Sequence, residues 1–130
     1  MDGIVNVIKP VGMTSFDVVA LVRRWTGTRR VGHTGTLDPD ASGVLTVCVG
    51  RATRAVEALT EKDKSYRAEL CLGVETDTQD ATGTLVAQMA PERDETRIFE
   101  AIRAMTGPAQ QMPPMHSAVK IGGKRLYELA

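Results

Sequence analysis

Net charge is absent from this sequence: 16 Lys+Arg stand against 16 Asp+Glu in 130 residues. A nucleic-acid partner usually leaves a basic surplus, so neutrality argues against one at the level of the whole chain. Long apolar runs are absent too. The longest, Val18–Val22, falls far short of the roughly 20 residues that cross a bilayer. No basic-then-apolar leader opens the chain, and no membrane partner is expected. Cysteine is sparse. Cys48 and Cys71 lie in separate apolar segments, with no C-x-x-C and no Cys/His cluster. That pattern reads as two reduced thiols in a cytoplasmic protein, not as a disulfide framework. His33 and His116 are far apart and no H-E-x-x-H occurs, so no metal site is expected. Neither G-x-x-x-x-G-K-S/T nor G-x-G-x-x-G is present, which removes the common nucleotide-binding loops. Around Ser42, Asp40 and Val44 stand where a nucleophile elbow needs glycines. What remains is ordinary for one globular domain: 42% hydrophobic and 25% charged residues.

The zero is a cancellation between regions. Residues 1–67 carry ten Lys/Arg against seven acids, and residues 68–130 carry six against nine. Acids gather in Glu75–Glu100, whereas Gln110–Tyr127 holds Lys120, Lys124 and Arg125 and no acid. A basic zone with a separate acidic face is compatible with a polyanion on one side, and equally with a solvated surface of mixed charge.

Ile4–Ile8 reads as a short strand stopped at Lys9-Pro10. Thr14 and Asp17 form a capping box for a helix whose expected buried stripe is Val18, Leu21, Val22 and Trp25, ended by Gly27. Arg29–Ser42 reads as a long polar connection, Gly43–Val49 as a strand buried on both faces, and Arg51–Thr60 as a short helix. Ser65–Gly73 alternates like a half-buried strand, Glu75–Gly83 like an acidic loop, and Thr84–Met89 like a further strand. Asp94 caps a helix with the face Ile98, Phe99, Ile102 and Met105, stopped by Gly107-Pro108. Gln110–Met115 is extended and Pro-rich. Ser117–Ile121 reads as a strand, Gly122-Gly123 as a turn, and Lys124–Ala130 as the start of a helix without a C-cap, which suggests a fragment. Irregular alternation of this kind indicates an α+β fold with a mixed, largely antiparallel sheet flanked by helices.

Chemistry concentrates in Gly32–Leu45, GHTGTLDPDASGVL, a long loop running into an apolar strand. Loops on a rigid scaffold are where sites are built. Pro39 pushes Asp38 toward extended backbone, and Gly35 permits close approach. With metals and nucleotide loops set aside, a lone carboxylate at a glycosidic or acyl centre is one reading of Asp38. A plain Asp-Pro turn is the other. Aromatics are few: Phe16, Trp25, Tyr66, Phe99 and Tyr127. Tyr66 stands in KDKSYR among three bases. It suits either a stacking platform for a nucleobase or an inward position on a strand.

Together these segments resemble the TruB family of pseudouridine synthases, the tRNA pseudouridine-55 synthases. Gly32–Leu45 is similar to the family's central signature, and Asn6–Thr14 (NVIKPVGMT) to its K-P-x-G-x-S/T element. GRATR at Gly50–Arg54, Lys64-Ser65-Tyr66 and Thr76–Gly83 (TDTQDATG) resemble further family elements in the family's order. So do Gln111–Lys120 (QMPPMHSAVK) and Gly123–Ala130 (GKRLYELA). The resemblance implies a fold, the N-terminal portion of a catalytic domain over residues 1–130, with the rest of that domain and an RNA-binding domain beyond. It implies an RNA-modifying isomerase that converts uridine-55 in the tRNA T-loop to pseudouridine by exchanging the C1′–N1 bond for a C1′–C5 bond. No cofactor or metal is implied. Asp38 falls on the catalytic aspartate and Tyr66 on the tyrosine that stacks on the target base. His33 falls on the histidine that holds the flipped nucleotide. Lys9, Arg54 and Lys64 fall on basic positions facing phosphate, and Gly35 and Thr36 belong to the same RNA-binding loop. The implied partner is the T-arm of tRNA, bound by a monomer. An arginine that pairs with the aspartate lies outside these residues, so little activity is expected of them alone. A tRNA-folding or RNA-binding module without catalysis is the competing expectation.

Overall fold

The computed structural model describes residues 1–112 and 120–125. The chain divides into two compact units, Met1–Tyr66 and Arg67–Ala130.

In the first unit, strand β1 (Gly3–Lys9), helix α1 (Ser15–Thr26), strand β2 (Val31–His33) and strand β3 (Gly43–Val49) follow one another. They make a three-stranded antiparallel sheet in the order β1-β3-β2. β1 and β3 pair along their whole length, from Gly3 opposite Val49 to Lys9 opposite Gly43. α1 starts as its residues dictate: the Thr14 side chain accepts from the Asp17 N–H, and the Asp17 carboxylate accepts from the Thr14 N–H. It stops at Gly27, whose φ of 62° is the left-handed conformation a side chain disfavours. Val18, Val19 and Val22 of α1 close on Val31, Leu45, Val47 and Val49 to make the core.

The buried stripe of α1 is thus Ser15, Val18, Val19 and Val22, with Trp25 72% exposed. The expected stripe through Leu21 and Trp25 is displaced by about one residue. Both stripes satisfy the helical spacing because Val18 and Val22 belong to each, and the sheet, not the periodicity, selects the face. β3 also departs from expectation. Leu45, Val47 and Val49 are buried on one face, while the other face is buried at Cys48 but exposed at Val44. Within the supposed connection 29–42, Val31–His33 adds to the β3 edge as β2. A 3₁₀ helix, Gly50–Ala55, leads into the short helix α2 (Val56–Thr60).

The second unit holds the hairpin of β4 (Val74–Thr76) and β5 (Leu85–Gln88), helix α3 (Glu95–Ala104), and the hairpin of β6 (Lys120–Ile121) and β7 (Lys124–Arg125). Asp94 caps α3 as expected, its side chain accepting from the Thr96 N–H at 2.9 Å. Gly122 and Gly123 both have positive φ, as a two-residue hairpin turn requires. Lys124 and Arg125, read as the start of a helix, therefore lie in a strand, and Val74–Thr76 takes the start of the supposed acidic loop. Ser65–Gly73 forms no strand: residues 65–72 are exposed and unpaired among the described residues. Alternation supplies an apolar face, but a strand also needs a neighbouring edge to bond. No residue of 67–112 is buried, and the Phe99, Ile102 and Met105 face of α3 is open. The Pro-rich segment from Pro113, the part Ser117–Val119 of the expected strand, and Leu126–Ala130 lie outside the described residues. The α+β class with antiparallel sheets and flanking helices is as expected. No described helix is long and apolar enough to cross a membrane.

Candidate functional site

The loop between β2 and β3, residues 34–42, carries Asp38 at the surface of the first unit. It is an irregular loop, yet it is held at nearly every step. The Thr34 N–H donates to the Thr46 carbonyl at 3.1 Å. A carbonyl can only accept, so the 2.6 Å contact between His33 Nδ1 and the Gly35 oxygen places the ring proton on Nδ1. In the neutral ring that leaves Nε2 as an acceptor. The Leu37 N–H donates to Ser15 Oγ at 2.9 Å, and Ser15 Oγ donates to the Leu37 carbonyl at 3.1 Å. On the far side of Asp38, the Pro39 carbonyl accepts from the Gly12 N–H at 2.8 Å and from Lys9 Nζ at 3.4 Å. The Ala41 N–H donates to the Asp38 carbonyl at 3.0 Å and closes a turn. The backbone on both sides of Asp38 is therefore fixed, while its side chain is exposed and makes no hydrogen bond or ion pair among the described residues.

Lys9 is not where a phosphate contact would be. It is 0% exposed, and its Nζ donates to the Met13 carbonyl at 2.7 Å and the Pro10 carbonyl at 2.9 Å as well as to Pro39. Three N–H donors meet three carbonyls, which is how an ammonium group can be buried. The expectation of an RNA-facing Lys9 is corrected: its donors are consumed in bracing the turn at Pro10–Met13 and the loop that carries Asp38. In β1, Lys9 shares a face with Val7, which packs on the core, but the opposite face with Ile4 and Ile8 is as apolar in sequence, so alternation alone does not turn Lys9 inward.

The other basic candidates stay at the surface. The Lys64 stem lies beside Gly35, where an added methyl would meet Cε at 3.7 Å. Its Nζ donates to the Thr60 carbonyl at the end of α2 and to the Lys62 carbonyl at 3.0 Å. That leaves one N–H for another acceptor. Arg54 is exposed on the 3₁₀ helix. The start of that helix is tied to the N-terminus: Asp2 accepts from the Arg51 N–H at 2.6 Å and from Arg51 Nε at 2.7 Å. Those bonds, the backbone one foremost, hold the Asp2 carboxyl below its ordinary range. Tyr66 is 72% exposed. Lys64, His33, Gly35, Thr36 and Asp38 thus share one surface region, whereas no hydrogen bond joins Arg54 or Tyr66 to the loop among the described residues. Burial raises the Cys48 thiol, as suits an unreactive core cysteine. No group of three His, Cys, Asp or Glu side chains among the described residues could hold a metal ion.

Sequence reasoning missed Ser15. It heads an apolar stripe at i, i+3, i+4 and i+7 with Val18, Val19 and Val22. A hydroxyl in that position is buried and must find partners.

A family model described as TruB family pseudouridylate synthase (N terminal domain) matches residues 23–130. The tRNA pseudouridine synthase B of Symbiobacterium thermophilum is 56% identical over 131 residues, covering 100% of this chain and 44% of the relative. That of Bacillus subtilis is 49% identical over 132 residues, covering 100% of this chain and 43% of the relative. A chain in the crystal structure of a Cbf5-Nop10-Gar1 complex superposes with a TM-score of 0.61 at 30% identity, covering 91% of this chain and 31% of that one. The chain spans less than half the length of these curated relatives.

Proposed function

This chain belongs to the TruB family of pseudouridylate synthases, and we propose that the protein containing it converts uridine-55 in the T-loop of tRNA to pseudouridine. The observation that carries this reading is Asp38: an exposed carboxylate on a loop whose flanking residues, Leu37 and Pro39, are both bonded to the α1–β1 corner. A carboxylate carried on a fixed backbone needs less reorganisation to meet the reacting centre than one on a mobile loop.

The reaction breaks the C1′–N1 bond, turns the uracil, and joins C1′ to C5; the C5 proton leaves and N1 gains one. It is an isomerisation with no net change of electrons, so it calls for no redox cofactor. Asp38 supplies the carboxylate at the glycosidic centre. The target base must leave its stack to reach it. His33, with its Nδ1 proton committed to Gly35, offers Nε2 to the flipped nucleotide. Gly35 and Thr36 let the RNA backbone come close. Tyr66 provides an exposed face for stacking, and Arg54 and Lys64 meet phosphate. Residues 1–130 are the N-terminal portion of the catalytic domain. The remaining length, of the kind the relatives have, supplies the rest of that domain, the arginine that pairs with Asp38, and the RNA-binding domain. The protein acts as a monomer in the cytoplasm.

The test uses the protein at the full length of these relatives and a T-arm hairpin labelled with tritium at uridine C5. Release of tritium from the target uridine, one per hairpin, is expected. Tight, salt-dependent binding without release would instead make the protein an RNA-binding module.

A further inference from the structure

We propose that Ser15 is a positioning residue for Asp38, a role that rests on reading Asp38 as the catalytic carboxylate. Ser15 is 3% exposed and is the first residue of α1. Its hydroxyl satisfies both backbone groups of Leu37, accepting from the N–H at 2.9 Å and donating to the carbonyl at 3.1 Å. Leu37 is the residue immediately before Asp38, and its side chain packs on the core. One hydroxyl thus locks both the amide and the carbonyl on the N-terminal side of the carboxylate to a helix 22 residues away in sequence.

The lock is rigid at its other end. Ser15 follows the Thr14 cap, whose reciprocal bonds with Asp17 fix the first turn, and Val18, Val19 and Val22 seat the helix on the sheet. The position of α1 is therefore transmitted to Asp38 through the Ser15 hydroxyl and the packed Leu37 side chain. Pro39 restricts the backbone of Asp38 to extended conformations, which sets its direction but not its place. The bonds from Gly12 and Lys9 hold the C-terminal side at Pro39, and on the Leu37 side the backbone hydrogen bonds are those of Ser15. Without the hydroxyl, the Leu37 peptide must turn to water, and the loop shifts. A displacement of about 1 Å at a reacting group is enough to cost on the order of 100-fold in rate.

The experiment compares Ser15→Ala, Ser15→Cys and Asp38→Asn in the full-length protein on the T-arm hairpin. Ser15→Ala is expected to lower kcat by about 10- to 100-fold. RNA affinity, KM and the folded fraction by circular dichroism are expected to stay within about twofold of the unsubstituted protein, because the hydroxyl touches neither RNA nor the sheet. Ser15→Cys keeps the volume but offers only a weak donor and acceptor, so it should fall with alanine and not recover. Hydrogen exchange at the Leu37 amide should quicken in both variants, a readout independent of catalysis. Retention of kcat in Ser15→Ala, or a loss that runs parallel to RNA affinity or folded fraction, would overturn the proposal. So would unchanged exchange at Leu37, which also decides the matter if either variant is poorly folded in assay buffer but intact in the cold. Activity surviving in Asp38→Asn would overturn the reading of Asp38 itself, whereas activity lost there and kept in Ser15→Ala overturns only the positioning role.

Discussion

Replacing Lys9 by methionine keeps most of the stem's volume and removes all three N–H donors. Two of the bonds lost are short, to Met13 at 2.7 Å and Pro10 at 2.9 Å, and the third, to Pro39 at 3.4 Å, is long and weak. A hydrogen bond from a charged donor is worth about 1.5–3 kcal/mol, so the two short ones set an upper bound of about 6. Two effects offset part of that. Methionine carries no desolvation cost for an ammonium, and the Pro10 carbonyl, on an exposed residue, can turn to water. A net loss of about 2–3 kcal/mol is expected, a large share of the roughly 5–15 kcal/mol that a domain commands. Urea unfolding should show a lower midpoint at an unchanged slope, since the surface exposed on unfolding hardly changes. The same variant separates a brace from a phosphate contact. A lysine on phosphate contributes about 0.7–0.9 to the slope of log affinity against log salt, and its removal would lower that slope by as much. The slope should stay the same for Lys9→Met, with any loss of affinity uniform across salt. A stability loss below about 0.5 kcal/mol together with a reduced salt slope would refute the brace.

Thr14→Ala should cost about 1 kcal/mol in urea unfolding by removing the cap of α1, with a loss under about 0.3 contradicting the cap's role. The pH dependence has a definite sign. Hydrogen bonds lower the carboxyls of Asp17 (from the Thr14 hydroxyl foremost), Asp80 (from the Thr82 hydroxyl) and Glu92 (from the Asp94 N–H), as Arg51 lowers Asp2. Each group binds its proton less tightly folded than unfolded, so its contribution is complete above the usual carboxylate value of about 4 and is lost as pH falls through the lower folded value. The urea midpoint should therefore decline below about pH 4.5, and a midpoint that holds or rises there would contradict these bonds.

Local chemistry made much of the first unit legible. The span of β3, the Thr14–Asp17 box and the Gly27 stop follow from residue type at fixed positions, and the structure has them where the residues put them. The face of α1 was not legible. Val18, Val19, Leu21, Val22 and Trp25 permit two stripes, and only the sheet opposite selects between them. β2 is three residues long and offers too little periodicity to stand out from a polar connection. Ser65–Gly73 shows the converse: its alternation is real, but pairing depends on an edge elsewhere. At the site, the motif puts Asp38 and His33 on one loop, which the structure holds through its backbone, whereas the family resemblance implies a phosphate-facing Lys9 that the structure buries. Ser15 was overlooked because a serine beside a capping threonine reads as part of the cap.

The central claim is that the Asp38 carboxylate does the chemistry on a uridine bound by the loop it sits in. Single-turnover formation of pseudouridine by full-length Asp38→Asn, at enzyme concentrations that saturate the T-arm hairpin, tests it most directly. Asparagine keeps the size and the loop, so hairpin affinity should remain within about threefold while the rate falls by more than about 1,000-fold. A rate within tenfold of the unsubstituted protein at full saturation would contradict the claim.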